Sequence, residues 1–189
     1  MKTVKHAVED NTEELLKLAD GFSAPASREI KPAVLDVYME DVFGGKIPEK
    51  VIHWPLACMH TGSVYSDLKK AIKYREWALK NRALVIGLGD NENAGCSTSR
   101  GKKAVAEQYM TVDEQIEFRA KFMKPLKDEG LYLGELDSNH SEFVKDETTI
   151  SPTKEVCRIT GVPYLGYIAA IVYHFKDFSL IFIHDKSPM

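Results

Sequence analysis

Cysteine is scarce in this chain: Cys58, Cys96 and Cys157 are three widely spaced residues among 189. An odd, scattered set with no Cys-x-x-Cys pair fits a reducing compartment better than a disulfide framework. Long apolar runs are also missing. None approaches the length that spans a bilayer, and Met1 to Asp10 holds no apolar signal core, so no membrane partner is expected and cytoplasmic location is the default. Nor is positive charge in excess. Lys and Arg number 25 against 28 Asp and Glu, a formal charge of −3, which argues against a dominant nucleic-acid surface. Two short basic runs, Lys69-Lys70 with Lys73 and Arg100 with Lys102-Lys103, read as a solvated helix face or loop. Internal repeats and low-complexity tracts are lacking as well.

A chain of this length with 44% hydrophobic and 28% charged residues can bury a real core. The pattern predicts an N-terminal helical appendage over residues 1–46 and an α/β domain over 47–189. In the appendage, Asn11-Thr12 caps a helix carrying Leu15, Leu16 and Leu18, and residues 23–27 break it. A second helix is expected over 33–43, with Val34, Val37, Tyr38 and Val42 at helical spacing and a stop at Gly44-Gly45.

From Ile47 strands and helices alternate. Val51 to Leu56 reads as a strand, and Ser66-Asp67 opens a helix with Leu68, Ala71, Ile72 and Leu79 on one face, ending near Asn81. Ala83 to Leu88 is a short apolar run of the kind buried on both faces. Thr111 with Glu114 is a capping box for a helix that turns Val112, Ile116, Ala120 and Met123 inward. Leu131 to Leu136 is a third strand, and Ser151-Pro152 starts a helix that Gly161 stops. Residues 167–175 and 178–183 form a hairpin around Lys176-Asp177. This order gives an α/β domain with an antiparallel addition near its C-terminal end.

Polar signals gather just beyond the strands, where α/β sheets collect functional groups. Cys58 and His60 follow the first strand at period-two spacing, which puts both side chains on the same side of an extended chain. Asp90 follows Gly89 at the end of the apolar run. A buried carboxylate there requires a cation or a helix N-terminus, or else it caps the turn 91–95. Asn139 offers a neutral oxygen ligand after the third strand, with His140 beside it as a proton donor. His184 offers an imidazole after Leu180 to Ile183.

The ordered set Met59-His60-Thr61-Gly62-Ser63, Gly89-Asp90, Ser138-Asn139-His140, residues 151–167 and His184 resembles the calcineurin-like metallophosphoesterases, in particular their phage-type branch, over residues 47–189. That resemblance implies paired mixed β-sheets flanked by helices, an αββα sandwich, and one or two divalent ions, manganese, zinc or iron, that activate water against a phosphate ester. It implies His60 at a first metal, Asp90 as the bridge, Asn139 and His184 at a second, and His140 as the group that stabilises charge or protonates the leaving oxygen. Cys58 stands where the family has aspartate, Ser138 where it has glycine and Ser141 where it has an acid. The family's Gly-His-x-His does not follow His184. The fold is therefore expected to be incomplete at the C-terminus and turnover weak or absent. The alternative is a noncatalytic remnant that serves as a binding or self-assembly module, associating through the edge of strand 178–183. The substrate is expected to be a phosphate ester, with monoester, nucleotide and nucleic-acid diester left open.

Overall fold

The computed structural model describes residues 32–96 and 102–185. The helix expected over 11–20 lies outside them. The domain is mixed α/β, built on two three-stranded sheets flanked by helices.

One sheet takes the order β2-β3-β4, from His53–Leu56, Leu84–Gly87 and Tyr132–Glu135, and is parallel throughout. Parallel neighbours need crossovers, and helices supply them. Helix α2 (Leu68–Lys80) joins β2 to β3. The return from β3 to β4 uses the short α3 (Lys102–Ala106) and the long α4 (Val112–Asp128). All four residues of β3 are buried, as expected for an apolar run with a strand on each side. Pro55 sits in β2, an edge strand, where a missing N–H breaks no interior ladder.

The second sheet has the order β1-β5-β6, from Ala33–Tyr38, Ile168–His174 and Ser179–Asp185. Strands β5 and β6 form the expected antiparallel hairpin. Strand β1 corrects the helix expected over 33–43: Ala33, Leu35 and Val37 alternate inward, and every residue pairs in parallel with β5. Only Met39–Val42 is helical, a single turn α1 that runs into Gly44 and Gly45 at positive φ. Two-residue alternation along β1, satisfied by the ladder to β5, prevails over a helical spacing that has no face to bury.

Capping signals hold. Asp67 accepts from the Lys70 amide at 2.9 Å, and Thr111 and Glu114 form the reciprocal capping box of α4. Helix α6 (Pro152–Thr160) begins after Ser151 and stops at Gly161, which is left-handed. Helix α5 (Asn139–Thr148), capped by Ser138, is not foreseen by the sequence pattern, nor is α3. The inward face of α2 is corrected at one position: Leu68, Ala71 and Leu79 are partly buried as expected, but Ile72 is exposed, and Arg75 and Ala78 turn in. Arg75 earns its place by lying over the Phe122 ring at 5.4 Å and donating to the Phe122 carbonyl.

A shared apolar core joins the elements: Leu84, Val85 and Ile86 of β3, Met123 and Leu126 of α4, and Ala169, Ile171 and Tyr173 of β5. The two sheets also touch through a polar pair, the Tyr173 hydroxyl 2.7 Å from His53 Nδ1. No helix among the described residues is long and apolar enough to cross a membrane.

Candidate functional site

The carboxyl ends of β2, β3 and β4 lie side by side, and backbone hydrogen bonds weld their loops together. The Cys58 amide donates to the Gly89 carbonyl, His60 to Asp90 and Thr61 to Asn91, at 3.2, 3.1 and 2.8 Å. Asn93 donates back to Thr61 at 3.0 Å. The two loops thus continue the ladder past the strands. They do so in a costly conformation. Of the six non-glycine residues at positive φ among the described residues, four belong here: Cys58 at 55°, His60 at 45°, Asp90 at 52° and Ala94 at 41°. Such angles disfavour a side chain and persist only where the surroundings fix them, so their concentration marks these loops as the constrained part of the fold.

Gly89 fixes the third loop against the other two. At φ 80°, a Cβ on it would lie 2.6 Å from the Asp137 carbonyl oxygen and 2.9 Å from the Ser138 Cβ. Only glycine lets the ends of β3 and β4 approach this closely. Ser138 then caps α5 by accepting from the Ser141 amide at 3.2 Å, which sets Asn139 and His140 in the first turn of that helix. The positive end of the helix dipole accompanies them.

His60 and His140 meet at this junction, with ring centroids 4.9 Å apart and planes nearly perpendicular. His140 Nδ1 lies 2.5 Å from the Asn93 carbonyl oxygen. A carbonyl only accepts, so Nδ1 carries a proton and donates it, leaving Nε2 for other partners. Both imidazoles, with Cys58, line a cavity of about 580 Å³. Asp90, buried, belongs to the neighbouring loop and accepts from the His60 amide through its backbone carbonyl, and Asn139 immediately precedes His140.

His184 is placed differently. It lies within β6, opposite Ala169, with its ring stacked at 5.5 Å on His53. It lines a separate cavity of about 310 Å³ with Ala57, Leu88 and Leu136, the residues that flank the same three strand ends. Burial holds the His184 imidazole below its usual pKa, and burial together with His184 pushes His53 down to about 4. Six residues chosen from the sequence therefore divide: Cys58, His60 and His140 line one cavity, Asp90 and Asn139 are not among its lining residues, and His184 lines the neighbouring cavity. Among the described residues, no three His, Cys, Asp or Glu side chains form a ready metal-holding group. A larger cavity of about 750 Å³ between α4 and α6 contains none of the strand-end residues.

Beneath the loops lies a charged network that the sequence pattern does not reveal. Arg119 of α4, fully buried, donates from Nε to Glu92 at 3.1 Å and from Nη2 to both carboxylate oxygens of Glu135 at 3.2 Å. Asn91 Nδ2 donates to Glu135 at 2.6 Å, and the Tyr132 hydroxyl donates to the same carboxylate. Burial raises Glu92 to about 7, against the opposing pull of Arg119. The network ties the loop after β3 to β4 and α4. Its one available sequence signal is a charge, Arg119, on the inward stripe of α4 between Ile116 and Met123.

The chain matches no protein-family model, no curated protein and no solved structure.

Proposed function

We propose that the strand-end cavity is the centre of a metal-dependent phosphoesterase, hydrolysing a phosphate ester with a divalent ion held between the loops of β2, β3 and β4. One observation carries this reading: the strained, mutually bonded loops after β2 and β3, together with the helix that follows β4, bring His60 and His140 to one cavity, with the buried Asp90 bonded through its backbone carbonyl to the His60 amide. Strain of this kind is retained where geometry matters to chemistry. The αββα sandwich of the metallophosphoesterases is part of the same proposal.

The donors suit such an ion. His60 offers an imidazole, Asp90 a carboxylate and Asn139 a carboxamide, a nitrogen and oxygen set fit for manganese or zinc. The Asn139 oxygen is the third donor of the proposed set, since no three His, Cys, Asp or Glu side chains are assembled among the described residues. Cys58, exposed at the cavity wall, is an alternative soft donor that favours zinc. A bound divalent ion supplies Lewis acidity and lowers the pKa of a coordinated water toward neutrality.

The chain's own residues do the rest. The first turn of α5 presents its positive dipole end to a phosphoryl oxygen. His140, anchored through Nδ1 to the Asn93 carbonyl, directs Nε2 at the departing oxygen and, when doubly protonated, donates a proton to it. Measured manganese content and turnover of p-nitrophenyl phosphate test the proposal. Bound metal is expected, with turnover reduced at least about tenfold in Asp90→Ala. No bound metal, together with equal turnover in parent and variant, overturns it.

A further inference from the structure

We infer that the ester handled at this site is a mononucleotide, its base stacked on the aromatic wall formed by Tyr65 and Tyr74 while its phosphate reaches the histidines. This rests on the phosphoesterase reading above and adds the substrate class. The cavity, about 580 Å³, is of the size that encloses a small organic ligand, and a phosphoryl group alone fills little of it. His60 and His140 occupy one side. The remaining lining is mixed and includes four aromatic residues, Trp54 and Phe122 in addition to the two tyrosines.

Tyr65 and Tyr74 line the cavity and are 78% and 51% exposed, so much of their ring surface is open to a ligand. A planar heterocycle would bury that surface by stacking on the ring face, which accepts any base. Charge narrows the choice. Lys70 stands 5.9 Å from the Tyr74 ring centroid, but Asp67 and Glu107 line the same wall. One cation against two carboxylates gives that wall no attraction for further phosphates, which disfavours nucleoside triphosphates and a nucleic-acid backbone. It suits a neutral base and sugar, whose amino and hydroxyl groups can donate to Glu107.

Calorimetric binding of adenosine 5′-monophosphate, ribose 5-phosphate and adenosine, each in manganese buffer, tests this. The monophosphate is expected to bind at least about tenfold more tightly than ribose 5-phosphate. Tyr65→Ala and Tyr74→Ala, both at exposed positions, are expected to weaken the monophosphate and adenosine by about tenfold and to leave ribose 5-phosphate unchanged, with Phe at either position restoring them. Equal affinity for the two phosphates, or Ala variants that leave the monophosphate unchanged, overturns the stacking subsite while the phosphoesterase reading stands. Adenosine binding as tightly as its phosphate would uphold the subsite and count against the phosphoesterase reading. Binding of none of the three overturns the inference outright.

Discussion

The two sheets of this domain share one core but differ in what their ends carry. Strand β3 of the parallel sheet is buried along its length, and the loops at its carboxyl end concentrate positive φ angles, imidazoles and a buried ion network. The β1-β5-β6 sheet alternates. Ala169, Ile171 and Tyr173 face in, while Val34, Ile181 and Ile183 face out, and its edge strand β6 is mostly exposed. A backbone constrained from several sides can hold side chains in costly positions, and an edge sheet with one open face cannot. The difference is the reason the proposed chemistry is assigned to the parallel sheet.

The sharpest way to break that comparison is to remove Arg119. Arg119→Met would leave Glu92 and Glu135 buried without their cation, at an expected cost of about 3–5 kcal/mol in urea unfolding. A loss below about 1 kcal/mol would mean that the network does not hold the strand ends. Next comes Gly89→Ala, which adds a Cβ 2.6 Å from the Asp137 carbonyl oxygen at a left-handed φ. It is expected to cost about 1–3 kcal/mol and to weaken metal binding as well, because Asp90 and Asn139 would be pushed apart. Thr111→Ala removes the capping box of α4, with an expected loss of about 1 kcal/mol in the same assay. Smallest is Ile183→Ser on the open face of β6. The residue is 74% exposed, so unfolding is expected to shift by less than about 0.5 kcal/mol. A large loss there would show that the second sheet carries more of the fold's stability than its burial suggests.

Much of the architecture is legible from local chemistry. Asp67, the Thr111 and Glu114 pair, Ser151-Pro152 and Gly161 mark helix ends because caps satisfy backbone groups that a helix leaves open. The run 83–88 declares a buried central strand by having no polar residue. Strand β1 hides because Val34, Val37, Tyr38 and Val42 fit a helical spacing as well as Ala33, Leu35 and Val37 fit an alternating one, and only the distant partner β5 decides. Helix α5 hides for a related reason: Ser138 is a proper N-cap, yet it directly follows a strand and reads as a turn.

Of the site, His60, Asp90 and His140 announce themselves at strand ends. Their closeness does not, since the junction depends on Gly89 admitting the Asp137 carbonyl and on hydrogen bonds between loops 30 residues apart in sequence, such as Cys58 to Gly89. The network of Arg119, Glu92 and Glu135 is invisible locally, because its members come from a helix, a loop and a strand that are brought together only by the fold. His184 shows the reverse. Its place after an apolar run suggests a strand end, whereas pairing with Ala169 keeps it inside β6.

Electron paramagnetic resonance titration with manganese(II) addresses the central claim most directly, using the parent, Asp90→Asn and Ile183→Ser. Saturable binding is predicted for the parent and Ile183→Ser, weakened at least about tenfold in Asp90→Asn, because one charged oxygen donor is lost from the strand-end site. Equal affinity in all three proteins, or no saturable binding by the parent, would contradict a metal centre at the ends of β2, β3 and β4.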